Sequence, residues 1–364
     1  MTITPVHTEH IPANSLKYKE SMGPALERHR AFWEHEIIDR VCLAVTAPRE
    51  QQAPVPEPES DEQFLTDPDY IVRLTNAQMA NTYYGGDALP WANAPGNLLY
   101  AAYGGKASFA TRTVWMDPTL TSGDQWADYQ FDPANRFIEH TLRITRALAA
   151  DGVGKYLVAS PGVFGPLDGM AQIRGMADFV MELALGEYEA PIRQAFHACL
   201  AGFTYISEAI YAAAANGQPG HALFGGIWAP GLINNWSADF SCIIGPRHIR
   251  QWLIPELEAM AGFLEHNIYH LDGPDAARHL PLLLEVGLQG IAYARGAGHT
   301  LAEAMPVYKQ IQQAGRLQTV DCAYDEVEWV LQELGPRGLI IFTHAPSVEE
   351  ADALVKNAER WSSR

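Results

Sequence analysis

The second half of the chain alternates short apolar segments with helical segments in a regular order. Each apolar segment is followed by a stretch with helical periodicity, and the apolar segments are 221–229, 267–272, 290–294, 316–321 and 338–345. Strands that alternate with helices of about 10–15 residues are typical of βαβ units, in which neighbouring strands run parallel. This alternation constrains the fold more than any other feature of the sequence.

Three further strands are predicted in the first half, at 41–46, 112–116 and 155–160, which brings the count to eight. Eight such units predict an α/β fold of one closed (β/α)8 TIM barrel, and an open doubly wound sheet is the alternative. No GxGxxG or GxxxxGK[ST] motif follows any strand, so the nucleotide-binding form of that alternative has no support. We expect the barrel domain over 21–364, preceded by an N-terminal arm over 1–20.

Composition restricts the partners of the chain. The 43 Asp and Glu residues exceed the 25 Lys and Arg residues, and this excess disfavours nucleic acid and anionic membrane surfaces. The sequence has no 18-residue apolar run and no secretory signal pattern, and its four cysteines are too dispersed for a disulfide framework. We therefore expect a cytoplasmic enzyme with a small-molecule substrate. Its oligomeric state stays open, with a homodimer as one expectation.

The strand ends carry the first candidate site, because barrel enzymes place their active sites at the carboxyl ends of the strands. His270 and Asp272 are two residues apart on one strand and so share a face, and His344 ends the last strand. Two imidazoles and one carboxylate could hold zinc or another divalent metal with positions left for a substrate. Alternatively, each histidine is a hydrogen-bonded structural residue, and Asp272, which precedes Gly-Pro, caps a helix.

Other candidates lie on strand ends, adjoining loops and helices. Asp239 and Tyr293 are candidates for proton transfer. Cationic side chains could anchor a substrate carboxylate and aromatic ones could line a pocket, and these candidates are Arg49, Trp115, Arg174, Trp228 and Trp236. For each of these residues a loop hydrogen bond, a surface ion pair or a place in the core is the alternative.

Three segments carry a resemblance to a known family. They are WSADFSCIIGPRHIRQWLIPELEAM, NIYHLDGPDAARHLPLLLEVGLQGI and QIQQAGRLQTVD. The chain resembles the uroporphyrinogen decarboxylase superfamily, and within it the branch that includes the methyltransferases linked to cobalamin and coenzyme M. The similarity covers roughly residues 25–362 and is clearest after Met170.

Departures from the family's motifs shape what the resemblance implies. Nothing like the MRQAGR motif of true decarboxylases accompanies the first strand, where only Arg49 is near, so porphyrinogen binding is not expected. The family's zinc methyltransferases use His-x-Cys on the fifth strand and Cys on the eighth, and these positions fall on His270, Asp272 and His344. The resemblance thus implies one of two outcomes. Either a metal is held without thiolates, which makes it a stronger Lewis acid and points to an acceptor other than coenzyme M, or the metal has been lost altogether.

Three functions follow as alternatives. The first is a metal-dependent methyltransferase or demethylase of a small O- or N-methylated substrate, with a corrinoid protein as partner or methyl carrier. The second is a metal-free decarboxylase or lyase, in which Arg49 binds a substrate carboxylate and His270 shuttles a proton. The third is a barrel that binds a corrinoid partner without catalysis of its own.

Overall fold

A computed structural model describes residues 15–215 and 217–363 and shows a mixed α/β fold. The strands are β1 (Cys42–Pro48), β2 (Thr82–Gly86), β3 (Trp91–Ala92), β4 (Lys106–Ala110), β5 (Thr113–Asp117), β6 (Leu157–Ser160), β7 (His221–Leu223), β8 (Ile227–Ala229), β9 (Ile233–Trp236), β10 (His266–Asp272), β11 (Gly290–Ala294), β12 (Leu317–Asp321) and β13 (Leu339–His344). Seven of them form one sheet in the order β2-β1-β13-β12-β11-β10-β9, in which only β2 is antiparallel to its neighbour.

Helices follow most strands of the large sheet, as the sequence pattern predicts. They are α1 (Met22–Trp33), α2 (Asp61–Thr66), α3 (Pro68–Asn81), α4 (Arg136–Gly152), α5 (Pro166–Arg174), α6 (Met176–Leu185), α7 (Glu189–Ala214), α8 (Pro246–His248), α9 (Ile254–Phe263), α10 (Gly273–Ala277), α11 (Leu280–Leu283), α12 (Leu301–Gln313), α13 (Val327–Leu334) and α14 (Val348–Ser362). A π-helical segment, Ile249–Leu253, joins α8 to α9. No helix in the described ranges is long and apolar enough to cross a bilayer.

Alternation along the strands defines an inner face of the large sheet. On β10, Ile268 packs with Cys42 and Ile340 from other strands, whereas Tyr269 and Leu271 pack in the core that the helices share. Successive side chains on a strand point to opposite faces, so His270 and Asp272 lie on the inner face with Ile268. The same alternation places His344 of β13 on the face of Ile340.

A second sheet has the order β3-β6-β7-β8, and the hydrogen-bonded ladders recorded among the described residues run within the two sheets without joining them. The structure therefore shows a mixed α/β fold with a large, mostly parallel sheet, and closure of the strands into a barrel stays a prediction. Two predicted strands were wrong in detail. The segment 221–229 is not one strand but the antiparallel pair β7 and β8, because Gly225 and Gly226 both adopt φ of 87° and turn the chain.

The predicted strand at 112–116 is also wrong as a member of the main sheet. It corresponds to β5, which pairs with β4 in a separate antiparallel hairpin. Its side chains are mostly exposed or half-buried, as expected of a strand with water on one side. The strands β2, β3 and β9 were not predicted, because their segments are rich in Gly, Asn or Trp rather than in aliphatic residues.

The described part of the N-terminal arm, residues 15–20, is hydrogen-bonded to the rest of the fold. Lys19 is buried, and its Nζ donates to the carbonyl oxygens of Tyr84 at 3.0 Å and Gly86 at 2.9 Å. The Tyr18 hydroxyl donates to Asn76 Oδ1 at 3.1 Å. Tyr18 and Lys19 thus attach this segment to the fold, and the part of the predicted arm over 1–14 lies outside the described residues.

One buried carboxylate joins α1, β1 and the end of β2. Asp87 is fully buried, and its carboxylate accepts hydrogen bonds from Arg40 at 2.5 and 3.0 Å, from Arg28 at 3.2 Å and from the backbone N–H of Leu43 at 2.8 Å. His29 Nε2 lies 3.1 Å from the carbonyl oxygen of Asp87. Since a buried charge is tolerated only when it is paired, this cluster fixes the start of β1.

Candidate functional site

Two neighbouring cavities open at the carboxyl ends of the strands. Cavity A has a volume of about 250 Å³, and its wall includes Tyr100, Phe164, Asn235, Trp236, Asp239 and His270. Cavity B has a volume of about 400 Å³, and its wall includes Thr46, Tyr84, Trp91, Asp321, Phe342 and His344. The cavities are adjacent because Phe224 borders the first and Gly225 the second.

Cavity A brings two of the predicted residues together. His270 comes from the inner face of β10, and Asp239 begins the 3-10 turn Asp239–Ile243 that follows β9. Desolvation at the cavity wall raises the pKa of Asp239, the nearby Asp272 carboxylate raises it further, and Ser237 and His270 oppose the shift. Asp239 therefore holds a proton more readily than an ordinary carboxyl group.

Acidic groups surround His270 on more than one side. Desolvation also raises the pKa of Asp321 at the end of β12, and the charges of Arg295 and His270 oppose that shift. Asp239 and Asp321 therefore both interact electrostatically with the same imidazole, although they line different cavities. His270 can therefore balance negative charge on Asp239 in cavity A, and Arg295 acts with it on Asp321.

A carboxyl group missed in the sequence, Asp168, holds the loop that carries Asp239. Asp168 lies in the first turn of α5 and accepts hydrogen bonds from the backbone N–H of Asp239 at 2.8 Å and of Phe240 at 3.1 Å. The Ser237 hydroxyl also donates to it at 3.3 Å. Burial, together with the charge of Asp239, raises the pKa of Asp168 to about 8. The signal for this residue is an acidic side chain in the first turn of a helix that starts with Pro.

Glu256 of α9 lies behind the same loop and is fully buried. Its Oε2 accepts a hydrogen bond from the backbone N–H of Leu167 at 2.8 Å, and its Oε1 has no partner among the described residues. Burial raises the pKa of Glu256 well above its usual range. The folded protein thus favours the neutral acid at this position.

We expect Glu256→Gln to make stability less sensitive to alkaline pH. Because the folded-state pKa is raised, the stability due to protonation is complete below about pH 4.5 and is lost as the pH rises toward the folded pKa, by up to about 1.4 kcal/mol per pH unit. Urea unfolding at pH 5 and pH 8 measures the effect. The free energy of unfolding of the variant, relative to that of the wild type, should be higher at pH 8 than at pH 5. The exposed Glu258→Gln on the same helix serves as control, and equal pH dependence in all three proteins would contradict the expectation.

The predicted metal ligands do not converge. His344 lines cavity B, where its Nδ1 lies 3.1 Å from Thr46 Oγ1, and two strands separate β13 from β10 in the sheet. In the ranges 15–215 and 217–363, no three His, Cys, Asp or Glu side chains form a group that could hold a metal ion. The arrangement of His270, Asp272 and His344 therefore does not fit zinc, and their role as ligands stays a prediction without geometric support.

The two arginines proposed as carboxylate anchors are engaged elsewhere. Arg49 Nε donates to the carbonyl oxygen of Thr82 at 3.0 Å, and its guanidinium lies over the ring of Tyr83. Arg174 is buried and pairs with Glu182 at 2.8 Å and Asp178 at 2.6 Å. Both side chains are thus held by partners within the protein, and their role as carboxylate anchors stays a prediction.

The aromatic candidates lie in different surroundings: one on the surface, one in the core and one in a cavity wall. Trp115 is 59% exposed on the β5 hairpin, and Trp228 is buried in a core cluster with Met22 of α1, where its Nε1 donates to the carbonyl oxygen of Pro219. Neither of these two lines a cavity described above, which corrects the prediction. Trp236 does line cavity A, and its buried Nε1 has no partner among the described residues. The ring of Tyr293 packs edge-to-face on Tyr308 at 5.4 Å, and burial followed by the charge of Asp272 raises its pKa.

Comparisons with known proteins leave the family undecided. No protein-family model and no curated protein matches the sequence. Among solved structures, the chain is similar to a B12-independent methionine synthase from Shewanella sp. W3-18-1 in complex with selenomethionine, with a TM-score of 0.37 and 11% sequence identity. That match covers 61% of this chain and 65% of the synthase chain. A likeness this distant carries no argument about function, which must come from the site.

Proposed function

We propose that cavity A is the active site of an enzyme that transfers a methyl group from a small O- or N-methylated substrate. The observation that carries the proposal is the presence of His270 and Asp239, which come from separate elements, in the wall of one small cavity with aromatic sides. A volume of about 250 Å³ suits a small substrate. The resemblance described above supports methyl transfer as the reaction class.

In this reaction the residues of cavity A would control protonation of the heteroatom that loses the methyl group. As the bond between the methyl carbon and oxygen or nitrogen breaks, its electron pair stays on the heteroatom, and the methyl group passes to a nucleophile supplied by a second substrate. From a methyl ether the oxygen departs as an alkoxide and takes up a proton, which Asp239 can give since desolvation raises its pKa, and His270 can balance the carboxylate that remains. A methylated ammonium nitrogen departs as a neutral amine and takes no proton, so Asp239 then serves as the carboxylate that balances the substrate's charge. A corrinoid carried by a partner protein would supply the nucleophile.

Decarboxylation, the second candidate from the sequence, has less support. Neither of the two cavity walls includes a Lys or Arg residue, and Arg49 is bound at Thr82. A substrate carboxylate would therefore meet aspartates with no Lys or Arg in the wall to bind it. These features favour a neutral or positively charged substrate.

We also propose that the two sheets are parts of one closed barrel. Leu223 of β7 packs in the same inner cluster as Ile233 of β9 and Ile268 of β10, which supports β7 and β9 as neighbours around a common interior. In such a barrel cavities A and B would share the C-terminal mouth, where this fold places its active sites.

A methyl-transfer assay tests the function. The protein is incubated with a panel of ¹³C-methyl ethers and N-methyl amines and with cob(I)alamin as acceptor, and methylcobalamin is followed by ¹³C NMR. We expect transfer from at least one member, and loss of that transfer in Asp239→Asn. Release of CO2 from carboxylated analogues without methyl transfer would contradict the proposal.

A further inference from the structure

Cavity A contains a buried polar side chain that proton transfer does not explain. Asn235 of β9 is only 6% exposed, lies on the inner face with Ile233 and lines the cavity. Its side-chain amide has no hydrogen-bond partner among the described residues, although its backbone N–H donates to Asn234 Oδ1 at 2.9 Å. A Cβ on Gly162 would lie 2.9 Å from Asn235 Oδ1, so glycine at this position leaves room for the amide beside the cavity.

The amide of the preceding residue, Asn234, has hydrogen-bond partners that the Asn235 amide lacks. Asn234 is also buried, but its amide donates to Ser207 Oγ at 3.0 Å and accepts from Ser160 Oγ at 3.3 Å. One asparagine is thus satisfied within the protein and the other faces the cavity without a partner. The Asn235 amide therefore offers a free acceptor and a free donor to the cavity, and a ligand oxygen placed there could complete its hydrogen bonds.

The rest of the wall is aromatic and acidic. Tyr100 and Phe164 meet edge-to-face with ring centroids 4.0 Å apart, and Phe224 and Trp236 add two further rings. Asp239 supplies a carboxyl group within the wall, and the charge of Asp272 acts on it from the end of β10. Aromatic faces next to carboxylates attract cations, and methylated ammonium ions in particular.

We infer that cavity A recognises a small N-methylated ammonium ion carrying a hydrogen-bonding oxygen, in preference to a neutral methyl ether. The methylated nitrogen packs among the rings beside Asp239, and the oxygen bonds the Asn235 amide. This inference rests on the proposed function, whose substrate class it narrows.

Binding of two matched probes tests the inference without turnover. Choline carries a trimethylammonium group and a hydroxyl, and 3,3-dimethyl-1-butanol has the same shape without the charge. Isothermal titration calorimetry should show choline binding at least about tenfold more tightly than the alcohol, with the preference reduced by salt. Equal affinity for both probes, or no binding of choline, would overturn the inference.

Two variants locate the binding. Asp239→Asn should remove most of the preference for choline and keep the fold, because the backbone N–H of Asp239, not its side chain, bonds Asp168. Asn235→Ala should weaken binding of choline and of the alcohol by similar factors. The control Tyr205→Phe, on an exposed side chain outside the cavity wall, should change neither. Choline selectivity that persists in Asp239→Asn would overturn the inference.

The outcome is separable from that of the proposed function. If choline binds selectively but no panel member donates a methyl group, the inference holds and methyl transfer fails. If methyl ethers donate while choline does not bind, methyl transfer holds and the inference is overturned.

Discussion

Asp87→Asn is expected to lower the free energy of unfolding by about 3 kcal/mol or more. The substitution removes the charge that compensates the Arg40 guanidinium, which is only 3% exposed and has no other acidic partner among the described residues. It also replaces one acceptor oxygen of a carboxylate that accepts from Arg40, Arg28 and the Leu43 N–H. Urea unfolding at pH 7, followed by far-UV circular dichroism, measures the loss.

An exposed ion pair provides the matched control. Glu57 pairs with Arg112 at 2.9 Å, and the two side chains are 80% and 53% exposed. Exposed pairs contribute about 0–1 kcal/mol, so Glu57→Gln should change stability little. If Asp87→Asn and Glu57→Gln had equal effects, the cluster around Asp87 would not be what fixes the start of β1.

His270→Ala is expected to lower the rate constant of methyl transfer by about 100-fold or more, the range for loss of a group that stabilises charge developing at the reaction centre. The half-buried imidazole makes no hydrogen bond within the described part of the chain, so the thermal unfolding midpoint should stay close to that of the wild type. The rate constant is measured by ¹³C NMR of methylcobalamin, and the unfolding midpoint is measured by thermal unfolding of the same preparation. A slow but fully folded variant is the expected result.

His266, at the other end of β10, is the control for this substitution. It lies against Trp33 with ring centroids 4.8 Å apart, away from cavity A. His266→Ala should leave methyl transfer within about twofold of the wild type, because it removes no group near the reacting atoms. An equal loss of rate in both variants would show that the substitutions disturb the structure of β10, and that His270 takes no part in the reaction itself.

The second half of the fold could be predicted from the sequence. The strands β10 to β13 are apolar runs separated by helical periodicity, and local pattern is enough to identify them. Residues 221–229 and 112–116 could not be assigned in this way. Two consecutive glycines turn the first into a hairpin, and pairing of β5 with β4 takes the second out of the sheet.

Less of the site could be predicted. His270 and Asp239 follow from the rule that barrel chemistry lies at strand ends, but the rule does not give the distance between strands, so His344 was placed with His270 across two intervening strands. Asn235 was missed because a polar residue within a short strand faces either the core or a cavity, and the register that decides this depends on β10. The ion pair of Arg174 with Glu182 could not be predicted, because Glu182 lies on the next helix.

The most direct test of the central claim, that cavity A holds the substrate, is NMR of the two imidazoles that line the two cavities. The Cε1–H signals of His270 and His344 can be assigned from His270→Ala and His344→Ala, and a methylated substrate from the panel is then added to saturation. We predict that the His270 signal moves while the His344 signal stays in place. Movement of His344 with none at His270 would put the substrate in cavity B and contradict the account.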